Sequence, residues 1–345
     1  MRLNFRRGSA FASKYAKRYL KTKNPEDIQT ITVIRHAAIG DWVGTRPFLI
    51  ELRRFFPNAK ITLSVTRSYM YGMPEDLVDE IHIVDKDDPL REGKKTTLWY
   101  RIRKARELPP QDIIFDLVDS ALSLTLVLFS KSKLKIGFPY RTSRRVFYDI
   151  ATLRSDFALE TESILHTLCI LGGKPEKPLN YGYKSTYPKT VVKRIAYFAG
   201  ASIKPKCWED EKFSKLIDKM LETYPEYEHV ILQGIKEDEQ FLTIYNACKS
   251  SENLRLQSPM PLEEAMQFLA NSSCLISNDT GIRNMALSVD TPTVGIFFLT
   301  SPYRYWPSDG RHTCIFNADY ISPSVEDVFE GTQELMQKLY AKQEV

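Results

Sequence analysis

Short apolar, β-branched runs alternate with amphipathic stretches in this chain, and past its midpoint the alternation starts afresh. Residues 30–35 (TITVIR) read as a buried strand. A loop at 36–41 follows, then a helix to about Phe56. That helix sets Phe48, Leu49, Leu52, Phe55 and Phe56 on one face, and Pro57-Asn58 stops it. Residues 60–66, 81–84, 113–116 and 134–137 read as further strands, and 117–129 as an apolar helix that belongs in a core. The second series has strands at 194–199, 230–233, 274–277 and 292–298, with helices at 212–221, 237–248, 262–270, 281–287 and 324–340. Such alternation predicts parallel sheets covered on both faces. At 345 residues the chain exceeds one ordinary domain. The expected organisation is α/β: a basic arm (1–28), two Rossmann-like doubly wound domains (29–175 and 189–323), and a C-terminal helix (324–345) crossing back to the N-terminal domain. The Pro-, Gly- and Tyr-rich segment 172–188 is the expected linker. Two such domains would face each other across a cleft at the C-terminal edges of their sheets, where α/β proteins take ligands.

Composition removes several classes. Hydrophobic residues at 43% and charged residues at 26% are those of a chain able to build a core, which rules out wholesale disorder. No run of eighteen apolar residues exists and the N-terminus lacks an apolar block, so neither a membrane span nor export is expected. The five cysteines are scattered without CxxC spacing, which argues against a disulfide framework or zinc site and fits a reducing cytosol.

The net charge of +5 is unevenly spread. Residues 1–30 carry eight basic and two acidic side chains, 31–150 twenty and fifteen, and 151–345 twenty and twenty-six. A basic first half suits an anionic partner: nucleic acid, anionic lipid or a phosphorylated glycan. Before residue 24, Arg2, Arg6, Arg7, Lys14, Lys17, Arg18, Lys21 and Lys23 occur with no acid among them. Phe11, Tyr15 and Tyr19 recur at i, i+4, i+8, so a helix would line them up amid cations, as in a helix lying at a membrane surface. The other readings are that the stripe packs on the protein's own body or that the arm is disordered. Nucleic acid is not expected, because no recognised binding motif accompanies the cations.

Four loops at predicted strand ends carry chemistry. In His36-Ala37-Ala38-Ile39-Gly40-Asp41, a carboxylate at the sheet edge could act as general base on a hydroxyl; Asp41 could equally cap the helix. In Ser277-Asn278-Asp279-Thr280-Gly281, amides at a helix start favour a phosphate, and Asp279 could hold the loop or bind a polar group. Ala199-Gly200-Ala201-Ser202, followed by Lys204 and Lys206, suits a diphosphate, whose developing charge a lysine would neutralise on departure. After Gln233-Gly234, an acid among Glu237, Asp238 and Glu239 could hold ribose hydroxyls, although acids are also favoured in any first helical turn. No GxGxxG, GxxxxGK[ST] or HExxH occurs. Asp85-Lys86-Asp87 has the DxD form of metal-dependent transferases, but Asp88 and Pro89 beside it suggest a solvated turn. The five histidines are isolated, and His36 is near a candidate site only in sequence.

Together these loops resemble one family, the ADP-heptose:lipopolysaccharide heptosyltransferases of glycosyltransferase family 9. The likeness runs from about Thr30 to Pro307, through ITVIRHAAIGDWVGTRPFLIELRRFFPNAKITL, FAGASIKPKCW and ISNDTGIRNMALSVDTPTVGIFFLTSPYRYWP. It implies a GT-B type fold, with acceptor bound by the first domain and nucleotide sugar by the second. The implied reaction is inverting transfer of heptose from ADP-heptose to the lipopolysaccharide or lipooligosaccharide inner core, without a metal or other cofactor. Asp41 would be the base. Ser202, Lys206, Glu237, Asp279, Thr280, Gly281, Arg283 and Asn284 would bind donor. Arg46, Arg67, Arg141 and Arg144 would meet the anionic acceptor, with Arg101/Arg103/Lys104 and Lys131/Lys133/Lys135 as further candidates. The implied location is cytoplasmic, peripheral on the inner face of the inner membrane; by the arm's own charge and rings, and not by the resemblance, residues 1–23 are the candidate membrane contact.

Three departures stand out. Asn284 occupies a position where the family usually has histidine, with Arg283 beside it and Ile282 where proline is common. About 28 residues precede the first strand, and Trp42 and Arg46 follow Gly-Asp where smaller or less basic residues are frequent. These leave room for a related transferase using another nucleotide sugar, a non-catalytic glycan-binding member, or a GT-B-shaped epimerase.

Overall fold

The computed structural model describes residues 1–6, 8–88, 92–183, 186–307, 309–317 and 319–340. Arg7, Pro89 and the last five residues, singled out or included above, lie outside them. The chain divides into two compact units, Met1–Gly182 and Tyr183–Val345, and the division falls within the expected linker.

In chain order the first unit holds β1 (Ala10–Ala12), α1 (Lys14–Lys21), β2 (Thr30–Ile34), α2 (Ile39–Phe55), β3 (Lys60–Thr66), β4 (Glu80–Val84), α3 (Leu98–Glu107), β5 (Gln111–Asp116), α4 (Ala121–Phe129), β6 (Ser132–Gly137), β7 (Ile150–Thr152) and α5 (Glu160–Cys169). Among the described residues the strands form one sheet in the order β1-β7-β6-β5-β2-β3-β4. All neighbours are parallel except β1, which runs antiparallel to β7. The β-branched run of β2 lies at the centre, and Ile31, Val33 and Ile34 are fully buried there. Phe48 and Leu52 of α2 pack onto this face, Phe48 meeting Phe115 edge-on at 5.5 Å. Chain order reverses between β2 and β5, so the loops after these two strands frame the topological switch point of the sheet.

The second unit holds β8 (Val192–Phe198), α6 (Asp210–Thr223), β9 (Glu228–Leu232), α7 (Leu242–Ala247), β10 (Leu254–Gln257), α8 (Leu262–Ala270), β11 (Ser272–Asn278), α9 (Gly281–Ser288), β12 (Thr293–Phe297), β13 (His312–Phe316) and α10 (Val325–Tyr340). Its sheet, parallel between all neighbours, runs β10-β9-β8-β11-β12-β13, with the switch point between β8 and β11. Two doubly wound α/β units are thus present.

Several expectations need correction. The arm does not stand apart: β1 joins the first sheet, and Ala16 and Leu20 of α1 enter its core. Phe11 lies in β1 rather than on the helix, and Phe11 and Tyr19 both pack against the unit's core, leaving Tyr15 as the exposed ring of the three. The last helix, expected to cross back, packs on α6 and β13 and is grouped with the second unit. Helix α4 starts four residues later than expected, after a turn in which Asp119 adopts a positive φ of 60°. The 237–248 helix is broken at Phe241, which also has positive φ, into a short 3-10 turn and α7. Among the described residues no helix is long and apolar enough to cross a membrane.

Both units bury neutral histidines. In the second, His229 is fully buried; it accepts from the Tyr197 hydroxyl at Nδ1 (2.8 Å) and donates from Nε2 to the Tyr224 carbonyl (3.0 Å). In the first, His82 makes the same kind of pair with the Ser64 hydroxyl and the Lys104 carbonyl, 3.0 Å each. These partners select the neutral Nε2–H tautomer. Burial pushes both pKa values below the ordinary histidine range. The unfolded chain then binds protons near pH 6.5 that the native state refuses. Their stabilising contribution is complete above about pH 6.5 and is lost as pH falls towards the depressed native values. The expected loss is about 1.4 kcal/mol per pH unit for each histidine, read as a falling urea midpoint between neutral and mildly acidic pH.

Candidate functional site

In the first unit the loop after β2 leads directly into α2, and Asp41 is the third residue of that helix. It is not the cap: Ala38 holds that position and makes no side-chain capping bond. The Asp41 carboxylate therefore stands free of a capping role, 43% exposed, beside the switch point. One of its oxygens lies 3.4 Å from Nη2 of Arg35, the residue that follows β2. Arg35 is itself buried, donates to the Leu117 carbonyl at 2.7 Å, and lies 3.5 Å from Glu160 of α5. Glu160 also pairs with Arg154, whose guanidinium stacks over the rings of Phe138 (4.3 Å) and Tyr140 (3.7 Å). A chain of alternating charge thus leads from the buried interior to the exposed carboxylate, and fixes its direction. His36, next in sequence to Arg35, is held neutral, its pKa lowered to about 3 chiefly by burial, so it supplies no cation near pH 7.

The neighbouring strand ends supply cations. Arg67 follows β3, largely exposed, bonded to Asp85 at 2.9 Å. Arg141 and Arg144 lie in the turn after β6. Arg141 is exposed, and Arg144 donates to the Asp119 carboxylate (2.9 Å) and carbonyl (2.8 Å). Below them Asp116, fully buried at the end of β5, accepts from the Tyr148 hydroxyl (2.7 Å) and the amides of Val118 and Asp119, and burial raises its pKa. Arg46 does not join this group. It is buried and spent on Asp76, with both bonds under 3 Å, and on the Tyr181 carbonyl. The other basic clusters are also elsewhere: Lys133 pairs with Asp112 near the opposite sheet edge, and Lys104 on α3 pairs with Glu107. The DxD carboxylates are occupied, Asp85 by Arg67 and Tyr100, Asp87 by Lys95.

In the second unit two predicted loops meet at the switch point between β8 and β11. Asn278, fully buried at the end of β11, ties them together: its amide donates to the Ala199 carbonyl (2.6 Å) and its carbonyl accepts from the Trp208 amide (3.1 Å). Lys206 pairs with Asp279 at 2.8 Å, and the Thr300 hydroxyl donates to the same carboxylate oxygen at 2.7 Å. Thr280 is the N-cap of α9 and makes no side-chain capping bond, so Gly281 opens a helix with its first amides directed at this corner. Ser202 is exposed in the loop after β8. The arrangement offers one ammonium, helix-start amides and hydroxyls to an anion.

Two expected donor contacts are placed differently. Arg283 points inward, 1% exposed, donating to the Tyr305 carbonyl with its guanidinium 5.0 Å from the centre of the Phe297 ring. Asn284, half-buried, remains on the first turn of α9. Glu237 and Asp238 are exposed, whereas Glu239 folds back over the ends of β8 and β9. Its backbone carbonyl accepts from the Gly234 amide (2.8 Å), and a side chain at Gly200 or Gly234 would collide with its neighbours. Sequence reasoning gave no role to Arg35, Glu160 and Thr300, and named Asn278 only as a member of its loop. Arg35 at a strand end beside the Gly-Asp loop was a signal available in the sequence; Glu160 and Thr300 are brought to their partners by folding.

Comparison with known proteins bears on the family and the fold. The family profile described as glycosyltransferase family 9 (heptosyltransferase) matches residues 101–331. Lipopolysaccharide heptosyltransferase 3 of Escherichia coli is 22% identical over 307 residues, 84% of this chain and 89% of that protein. Two solved structures share the fold. A glycosyl transferase family 9 protein of Veillonella parvula superposes with TM-score 0.70 at 18% identity, covering 92% of this chain and 98% of its own. The E. coli heptosyltransferase WaaC with ADP superposes with TM-score 0.69 at 15% identity, covering 90% and 99%.

Proposed function

The chain belongs to glycosyltransferase family 9, with the GT-B type of fold, and from that premise we propose that it transfers heptose from ADP-heptose to the phosphorylated inner core of lipopolysaccharide, inverting the anomeric centre. The observation that carries this reading is that Asp41 in one unit, and the Lys206–Asp279 pair with the start of α9 in the other, each occupy the switch point of their own sheet. Asp41 takes the proton of an acceptor hydroxyl. The oxygen attacks the anomeric carbon through an oxocarbenium-like transition state as the bond to the diphosphate breaks. The leaving ADP carries off the electron pair, and Lys206 with the Thr280–Gly281 amides neutralises its charge. One displacement inverts configuration. Glu239, better placed than Glu237, accepts from ribose hydroxyls. Arg67, Arg141 and Arg144 meet the anionic acceptor at the edge that carries Asp41. No metal is required, because cations of the chain do that work.

The test is ADP release from ADP-heptose and a heptose-deficient core acceptor, in the presence of chelator. Turnover is expected only with both substrates, and loss of turnover on chelation would sink the metal-free mechanism. Asn284 favours one alternative, a sister transferase with another donor, since asparagine donates a hydrogen bond but cannot become a cation. Thermal shifts with ADP, UDP, GDP and CMP separate the two: ADP is expected to stabilise most.

A further inference from the structure

Helix α1 carries its charge in one line. Lys14, Lys17, Arg18 and Lys21 stand at i, i+3, i+4 and i+7, which a helix gathers on one face. The orientation of that face is set from the other side, where Ala16 and Leu20 are buried in the core of the first unit. All four cations are exposed, as are Arg2 and Arg6 nearby in the chain. Among the described residues none of the six forms an ion pair. Elsewhere in the unit Arg46, Arg54, Lys60, Lys133 and Arg144 are each matched to a carboxylate. Like charges three and four apart weaken a helix, so the isolated protein gains nothing from this array. An anionic partner would reverse the sign.

Beside the array lies a groove of about 650 Å³. Met1, Leu3, Phe5, Phe11 and Leu20 give it apolar walls, and Arg2, Lys17 and Lys21 add cations. The chain holds it open by tethering itself: the N-terminal amine donates to the Leu20 carbonyl at 2.8 Å, and the Asn4 amide to the Ile170 carbonyl at 2.9 Å. Phosphates suit the cations, and only a partner with an alkyl portion suits the groove. Nucleic acid lacks that portion, and the tyrosines that would stack on bases stack instead on each other, Tyr15 against Tyr19 at 6.0 Å.

We propose that this end of the first unit docks on an anionic phospholipid surface, with α1 lying on the headgroups and the groove taking up an acyl chain. The charge of α1, which the sequence associates with membranes, thus acts through its cationic face; of the three expected ring anchors Tyr19 packs on the core, Phe11 in β1 walls the groove and Tyr15 is exposed. The proposal does not rest on glycosyl transfer.

The experiment is co-sedimentation of the full chain with phosphatidylcholine vesicles, with and without one-third phosphatidylglycerol. The native protein is expected to bind only the anionic vesicles, and less as salt rises. The variant K14Q/K17Q/R18Q/K21Q, altered at exposed positions, should unfold at or slightly above the native temperature. Its partition should fall about fivefold per charge, several-hundred-fold in all. Monomeric dihexanoyl-phosphatidylglycerol is expected to raise the melting temperature, and glycerophosphate at the same concentration is not. Equal binding to both vesicle types, undiminished binding by the variant, equal shifts with the two soluble ligands, or equally tight binding of duplex DNA at the same salt would each overturn the proposal.

Discussion

Replacing Asp41 by asparagine is expected to lower kcat by roughly a thousandfold or more, near the upper range for a lost general base, while ADP stabilises the variant as it does the native protein. The substitution keeps shape and removes the proton acceptor. The structure makes the test clean in two respects. Asp41 caps nothing, so the helix loses no capping bond. Arg35 keeps its bond to the Leu117 carbonyl and its approach to Glu160, so the buried guanidinium is not stranded. A rate within tenfold of native would remove Asp41 from the mechanism and point to a different base or to water. Because Asp41 and the donor corner lie in different units, reduced ADP stabilisation in the same variant would contradict the division of labour proposed here.

The second large effect is at Lys206. Lys206→Met is expected to cost about 10²–10³ in kcat, the usual penalty for removing one preorganised group that meets developing charge. Asp279 would then lose its cation, but the Thr300 hydroxyl would still hold it, so the loop should keep its place. The informative quantity is the split between kcat and KM. If Lys206 acts on the departing diphosphate, kcat falls more than donor affinity. If it merely anchors the ground state, KM rises and kcat stays. If instead it only braces Asp279, then Asp279→Asn, which weakens the same pair, should match the lysine variant in both constants.

Much of the fold was legible because its signals are local. The β-branched run at β2 and four of the six strands of the second unit announced themselves through period and composition, whereas β10 and β13 at the sheet's two edges did not. The loops carrying Asp41 and Thr280–Gly281 did so through small residues placed just after a strand. What escaped was short or masked. Three-residue strands such as β1 and β7 are too brief for a period to show. Helix α5 buries Glu160, Thr161, Ser163 and Thr167 among its apolar residues, which blurs its pattern. The break at Phe241 and the turn at Asp119 depend on non-glycine residues with positive φ, which no residue type advertises strongly.

The candidate site shows the same division in sharper form. Residue order alone sufficed for two α/β units, for the strand-end loops, and for a basic first half. Which charges remain available was settled only when distant parts of the chain came together. Arg46 is withdrawn by Asp76, thirty residues away. Lys206 is set at the donor corner by Asp279, seventy-three residues away. Arg283 turns inward towards the Tyr305 carbonyl, twenty-two residues on. The cations of α1 stay exposed because Ala16 and Leu20 claim the inner face. The physical reason is that backbone periodicity is a short-range property of neighbouring residues. The desolvation and pairing of a charge depend instead on every group brought within a few ångströms of it, and that neighbourhood exists only in the folded chain.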